Sequence, residues 1–316
     1  MACVAAQPQA QARAEAYRPT SAVPSVFNGN AMTTFAYDPA AHRLYAGSRD
    51  GLFWLNTDEP KPAWHGPTFK SAVVQIRFAP ELRRVFFTTL DDVGYADVDA
   101  LDAPHLFAHV HAGNMVYEPQ QREVYVSYRA PSVTVFDGKT GATTGTIEVP
   151  GWYGILQEAI PGRVFMTLPD KPGLYVINAN THHVGSWPVE GKISTPAQME
   201  VDPSGRYIFL SYHQNVVAID ASTATVVGRL DTVGNATMAY DPGTNLLVVL
   251  GVVQKRPPLK LMAYRVDATG LTLVSSLENP PLTASSDGTL EPTSRGFIQR
   301  GSLSWLLWAA TDYLPG

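Results

Sequence analysis

The chain has 316 residues, enough to bury a large core in one or two domains. Its residues are 16% charged, against an average of about 25%; it carries 25 Gly and 25 Pro, and its net charge is -5. That balance excludes a general electrostatic pull toward nucleic acid or acidic membranes; the single cysteine, Cys3, excludes an internal disulfide and a cysteine-rich metal site; and no apolar run reaches the roughly 18 residues of a membrane helix.

Residues 1–16, MACVAAQPQAQARAEA, are rich in Ala and Gln and lack periodicity, which reads as a leader remnant or a disordered arm. The AQA triplet matches a leader-cleavage pattern, so an exported protein, periplasmic or secreted, is expected, with Cys3 as a candidate lipid anchor in the precursor. Residues 17–316 read as a single domain. Its first expected strand, within Tyr17 to Phe27, precedes a series of repeats.

The repeats follow in order: FAYDPAAHRLYAGS, IRFAPELRRVFFTT, MVYEPQQREVYVSY, LQEAIPGRVFMTL, MEVDPSGRYIFLSY and MAYDPGTNLLVVLG. Their prolines, Pro39, Pro80, Pro119, Pro161, Pro203 and Pro242, lie 39 to 42 residues apart. A degenerate seventh copy is GFIQRGSLSWLLWAA, Gly296 to Ala310. In each unit a first strand ends at an Asp/Glu-Pro or Ala-Pro corner, where proline pre-sets φ and an Asp accepts backbone hydrogen bonds. The second strand alternates or runs apolar, as a strand buried on both faces does. A third strand follows and often ends in an Asx-x-x-Thr turn, as at Asp137/Thr140, Asn178/Thr181 and Asp220/Thr223, and a fourth comes after it. Four short strands per unit of about 40 residues predict a propeller blade. The expected fold is therefore all-β: a seven-bladed β-propeller of four-stranded blades, its ring closed by the N-terminal strand joining the last blade. The long sixth unit, with QKRPPLK and ENPPLTASSDGTLEP, predicts extended surface loops.

VYVSY, VFFTT, VFMTL and IFLSY stand where YVTN-type seven-bladed propellers carry their signature tetrad, and the chain resembles that family from about Asn30 to Tyr313. The resemblance implies kinship with lactonase-like and surface-layer propellers. The Glu-x-Pro-x-Trp pattern of the calcium-dependent lactonase propellers is absent, so it implies architecture more than activity.

In such a fold the Pro corners and Asx turns share one face, and these are uniform. The second-to-third and fourth-to-first connections share the other, and they differ in every unit; variable polar loops on a rigid frame are where sites sit. They carry Arg49, Asp91, Asp92, Arg129, Asp170, Lys171, His213, Gln214, Lys255 and Tyr313, then His65, His111, Asn114, Trp152, Tyr153 and Lys192. The leading expectation is a non-catalytic protein binding a small polar ligand or a protein partner there. Arg49, Asp92, Arg129, Trp152, Lys171, Lys255 and Tyr313 are its candidate ligand-binding residues, since Arg and Lys hold carboxylates well. The alternative is a small-molecule enzyme, a hydrolase, lyase or isomerase of lactonase-like type. It would use His213, Tyr153 and Asp170 as catalytic groups, with Arg129 and nearby carboxylates. No cofactor is required by the sequence. A metal held by His109, His111 and His65 is one option, because H-x-H on a strand points both rings one way. A channel cation on Glu158 or Glu200 is another, with pairing to a neighbouring Arg as its competitor. His42, His182 and His183 fall at regular turns and are expected to face solvent. Nucleic acid is disfavoured as a partner by the net acidity, although Trp152, Tyr153 and Lys255–Arg256–Lys260 offer stacking and charge.

Overall fold

The computed structural model describes residues 32–38, 40–59, 64–69, 71–110, 113–128, 130–152, 154–169, 171–187, 189, 198–202, 204–212, 215–241, 245–252, 259–267 and 270–278, with short strands at 283–284, 290–291, 297–300 and 304–307. The expected N-terminal strand and Cys3 lie outside these residues. The described residues are almost entirely strand, with one 3-10 turn at Pro80–Leu82. None of their helices is long and apolar enough to cross a membrane.

Sheet 1 is β1 (Met32–Asp38), β2 (Arg43–Ser48) and β3 (Gly51–Asn56). Sheet 2 is β4 (Gln75–Ala79), β5 (Arg84–Thr88), β6 (Asp92–Asp97) and β7 (His105–His109). Sheet 3 is β8 (Asn114–Glu118), β9 (Glu123–Ser127), β10 (Ser132–Asp137) and β11 (Thr143–Glu148). Sheet 4 is β12 (Ile155–Ile160), β13 (Arg163–Thr167), β14 (Leu174–Asn178) and β15 (Val184–Trp187). Sheet 5 is β16 (Gln198–Val201), β17 (Tyr207–Tyr212), β18 (Asn215–Asp220) and β19 (Thr225–Asp231). Sheet 6 is β20 (Val233–Asp241), β21 (Leu246–Val252), β22 (Leu259–Asp267) and β23 (Gly270–Glu278). Two short pairs follow, β24 (Thr283–Ala284) with β25 (Leu290–Glu291), and β26 (Phe297–Arg300) with β27 (Ser304–Leu307). All pairing is antiparallel between consecutive strands. The first strands stand side by side in order, β1 by β4, then β8, β12, β16 and β20; β27 lies beside β20 and β26 beside β1.

Sheet 1 departs from the four-strand expectation. Its fourth position is taken by residues 64–69, which pair with β3 through isolated bridges at Trp54–His65 and Gly51–Thr68 rather than a ladder. The sequence there, EPKPAWHGP, supplies prolines that cannot donate to a ladder. Gly66 passes so close that a Cβ would sit 2.1 Å from the Leu52 carbonyl oxygen.

The corners behave as the residue types require. Asp38 Oδ1 accepts the N–H groups of Ala40 (2.9 Å) and Ala41 (3.1 Å), and Glu118 those of Gln120 (2.9 Å) and Gln121 (2.7 Å). In sheets 1 to 5 the residue before the second strand then offers its carbonyl to the end of the third strand of its own sheet: His42 to Thr57, Arg83 to Val98, Arg122 to Gly138, Gly162 to Ala179 and Arg206 to Ala221. At the Asx turn, Asp137 Oδ1 accepts the Lys139 N–H (3.0 Å), the Thr140 N–H (2.6 Å) and the Thr140 hydroxyl (2.7 Å). The Thr140 hydroxyl is the main reason the Asp137 carboxyl is held below the usual carboxylate range.

The core lies between sheets. Second strands feed both sides: Phe87 faces Tyr45 and Ile76 on one side, while Phe86 faces Met115, Tyr117 and Phe136 on the other. Phe165 packs with Ile208 and Ile219, whereas Val164 and Met166 pack with Tyr125 and Ile177. β17 is buried at all six positions for this reason. Each such aromatic is worth about 1.5–3 kcal/mol of burial.

His182 corrects one expectation. It occupies the left-handed position of its turn (φ 56) and is half-buried, with Nε2 3.3 Å from Glu123 Oε2 and its ring edge-on to Tyr125. The left-handed backbone turns the side chain back onto the preceding sheet. His42 and His183 are exposed as expected, and His42 Nδ1 lies 3.4 Å from Asp58.

Candidate functional face and central channel

In sheets 1 and 2 a Ser or Thr at the end of the second strand anchors the variable loop. Thr89 Oγ1 is buried and accepts the N–H groups of Asp91 (3.3 Å) and Asp92 (3.0 Å). Ser48 Oγ accepts that of Asp50 (3.0 Å). These bonds fold the chain tightly and thrust the intervening residue outward. Leu90 is 54% exposed as a result, and Arg49 is exposed at the equivalent place in sheet 1. In sheet 3, Tyr128 follows Ser127 and is also exposed, with Gly113 against its ring. The next connection is tied to this loop by the Val149 N–H on the Pro131 carbonyl (2.9 Å). It carries Trp152, 73% exposed. It is held down just beyond by Gly154, where a Cβ would lie 2.1 Å from Met166 Sδ. Leu90, Tyr128 and Trp152 thus stand on one face along consecutive sheets.

No family model matches this chain, and no curated protein matches it in sequence. Solved structures do match in shape. A chain of the mitotic checkpoint complex superposes with a TM-score of 0.64 at 11% identity, covering 82% of this chain and 86% of that one. The structure of U3-55K gives 0.60 at 9% identity, covering 79% and 82%. The WD40 repeats of RRP9 give 0.60 at 9%, covering 79% and 81%.

The chain has a β-propeller fold. Its sheets are blades, and the succession of first strands lines the axis.

The propeller brings together some of the expected site residues. Asp92 and His109 meet at the variable-loop end of blade 2, with Nδ1 2.9 Å from Oδ1. The carboxylate bond, and then its charge, raises the His109 pKa above the ordinary histidine value. A raised folded-state value means the pair contributes below the pKa of the unfolded chain and is lost as pH rises through the folded value. We expect the His109 ring protons to titrate above an ordinary histidine by NMR, and Asp92→Asn to bring that titration back down. An unchanged titration in the variant would dissociate the shift from Asp92.

His65 is exposed, its backbone pairing with Trp54 and its ring tilted against that indole. Among the described residues no three His, Cys, Asp or Glu side chains are grouped to hold a metal. His111, the third member of that proposed triad, lies outside them. Lys171 is half-buried, with its N–H on the Leu168 carbonyl (3.2 Å). His213, Tyr153, Asp170, Arg129, Lys255 and Tyr313 also lie outside the described residues.

At the axis, the Arg pairing reading of Glu158 prevails over the cation reading. Arg77 on β4 reaches past blade 3 to blade 4, where Nη2 lies 3.5 Å from Glu158 Oε1 and 3.3 Å from the Gln157 carbonyl oxygen. Both side chains are about five-sixths buried, at 16% and 17% exposure. A guanidinium already supplies the positive charge that a channel cation would bring. Glu200 is buried on β16. The sequence reading had missed three groups. Leu90 and Tyr128 were signalled only by their place after a Thr or Ser at the end of a second strand, and nothing in QIRFA marked Arg77.

Proposed function

We propose that this chain is a closed, seven-bladed propeller of YVTN-like kinship that binds a protein partner on its variable-loop face and acts by binding rather than by catalysis. The observation that carries the reading is the run of exposed Leu90, Tyr128 and Trp152 along blades 2 to 4. Large apolar and aromatic side chains raised on anchored loops are what interface centres use. The placement of β26 beside β1 and of β27 beside β20 supports a seventh blade between the sixth and the first. Completion of that blade by the segment from Tyr17 to Phe27 belongs to the same reading. So does export, which rests on the Ala/Gln-rich arm around AQA. One fold neighbour belongs to a multiprotein checkpoint complex, in keeping with a scaffold role.

The test is a photo-crosslinking amino acid placed at position 90, at 152, or at 106. Leu106 is 60% exposed on the outer strand of blade 2 and serves as the control. Discrete protein adducts from 90 and 152, absent from 106, are expected in extracts of the source cells. Trp152→Ala should weaken capture of the same partner by about thirtyfold or more, which is ~2 kcal/mol or above for an aromatic anchor. Equal labelling at 106, or none at 90 and 152, overturns the reading.

A further inference from the structure

The uniform face, opposite the variable loops, carries a repeated contact between neighbouring blades. The first residue of the second strand reaches the carbonyl just past the third strand of the next blade. Arg43 Nη1 donates to Val98 O (3.0 Å), Arg84 Nη1 to Gly138 O (2.8 Å) and Lys139 O (2.6 Å), and Arg163 Nη1 to Ala221 O (2.5 Å). In blade 3 the position is Glu123, which cannot donate as a carboxylate; His182 of blade 4 supplies the donor instead. Joints 1–2, 2–3, 3–4 and 4–5 are therefore each latched by a directional polar contact on this face.

Among the described residues blade 5 breaks the series. Its equivalent residue is Tyr207, whose hydroxyl is buried and makes no hydrogen bond. The preceding Arg206 turns to its own blade, 3.9 Å from Asp220 and over the Tyr207 ring. Joint 5–6 is filled by apolar groups, with Phe209 stacked on Tyr240 at 5.2 Å. On the axial side it keeps a polar tie, because Ser211 Oγ donates to Ala236 O (2.7 Å) and accepts the Ala236 N–H (3.2 Å).

We propose that joint 5–6 is a hinge: blade 6 swings about the Ser211–Ala236 tie and opens the propeller on its uniform face, before any of the four latched joints opens. Apolar contacts have no preferred direction and tolerate sliding, whereas a charged donor on a carbonyl holds one geometry. Local opening of this kind occurs below the free energy of global unfolding. The hinge leaves the Leu90–Tyr128–Trp152 patch on the latched arc, so it stands whether or not that patch binds a partner.

Native-state thiol labelling tests the hinge, in a Cys3→Ser background so that the introduced thiol is the only one. Ala218→Cys probes joint 5–6 and Ala96→Cys joint 1–2; both alanines are fully buried on third strands. The thiol at 218 is expected to react about tenfold faster than that at 96, through local opening. Arg43→Met should then speed labelling at 96 about fivefold and leave 218 unchanged, since it unlatches one joint only. Should Ala218→Cys fail to fold, Leu247→Cys, fully buried on β21 in the same joint, reports it instead. Equal rates at the two joints overturn the hinge, and so does an Arg43→Met effect equal at both, which is the mark of global unfolding.

Discussion

Glu118→Ala is expected to lower the unfolding free energy by about 3–5 kcal/mol, the largest effect of any single corner substitution, with the urea m-value unchanged. The Glu118 side chain is fully buried, and its carboxylate accepts three backbone N–H groups. Gln120 and Gln121 close its own corner, and Gly162 (2.7 Å) belongs to the corner of the next blade. Truncation strands all three donors, and the buried Gly162 N–H has no water to turn to. The orphaned Gly162 donor costs about 1–3 kcal/mol, and each part-buried corner donor, which water can reach, about 1. Glu118→Asp separates the two tasks. Aspartate serves the corner at Asp38, so the two local bonds should survive while the reach to Gly162 is lost, at about 1–2 kcal/mol. If Asp and Ala prove equally damaging, the contribution lies in packing and the cross-blade bond is unimportant.

Arg77→Met is expected to cost about 2–4 kcal/mol, because it removes the guanidinium 3.5 Å from a Glu158 carboxylate only 17% open to water. The methionine keeps most of the stem volume, so the loss reports charge more than cavity. Adding Glu158→Gln should restore most of it: a neutral amide is far cheaper to bury than a carboxylate that has lost a counter-charge. A double-mutant cycle by urea titration therefore should show a coupling above about 1 kcal/mol. Simple additivity would mean the two groups act independently despite the 3.5 Å approach.

The two substitutions bear on different levels of the fold. Glu118 lies in a repeat motif, and its corner role follows from its place before a proline. Arg77 lies in the repeat by position only, and nothing in IRFAP distinguishes it from a channel-lining or solvent-facing arginine. Its partner is 81 residues away in sequence, on a blade that is not even adjacent.

The same division runs through the candidate face. Trp152 was marked by its type in a variable connection, and its exposure agrees with that. Leu90 was passed over because a leucine after an apolar strand reads as more core. It is the bond from Thr89 Oγ1 to the following N–H groups that reverses the chain and turns it out. His182 failed in the opposite sense: a histidine in a turn reads as solvated, yet the adjoining blade covers it. The fourth strand of blade 1 was expected from the period, but the local prolines prevented a regular ladder.

Sequence by itself determined the four strands of blades 2 to 6 and their order, the corner and turn chemistry, and the blade period. Those features rest on φ restriction, on side-chain bonds spanning two or three residues, and on burial of both faces of the second strand, all of them short-range and repeated. Tertiary structure alone decided the latches between blades, the Arg77–Glu158 pair across the axis, the apolar packing of Phe209 on Tyr240 at joint 5–6 and the row of exposed side chains on blades 2 to 4. Each of these depends on which blade faces which, and a directional contact between distant residues exists only after the packing of blades has brought them within hydrogen-bonding reach.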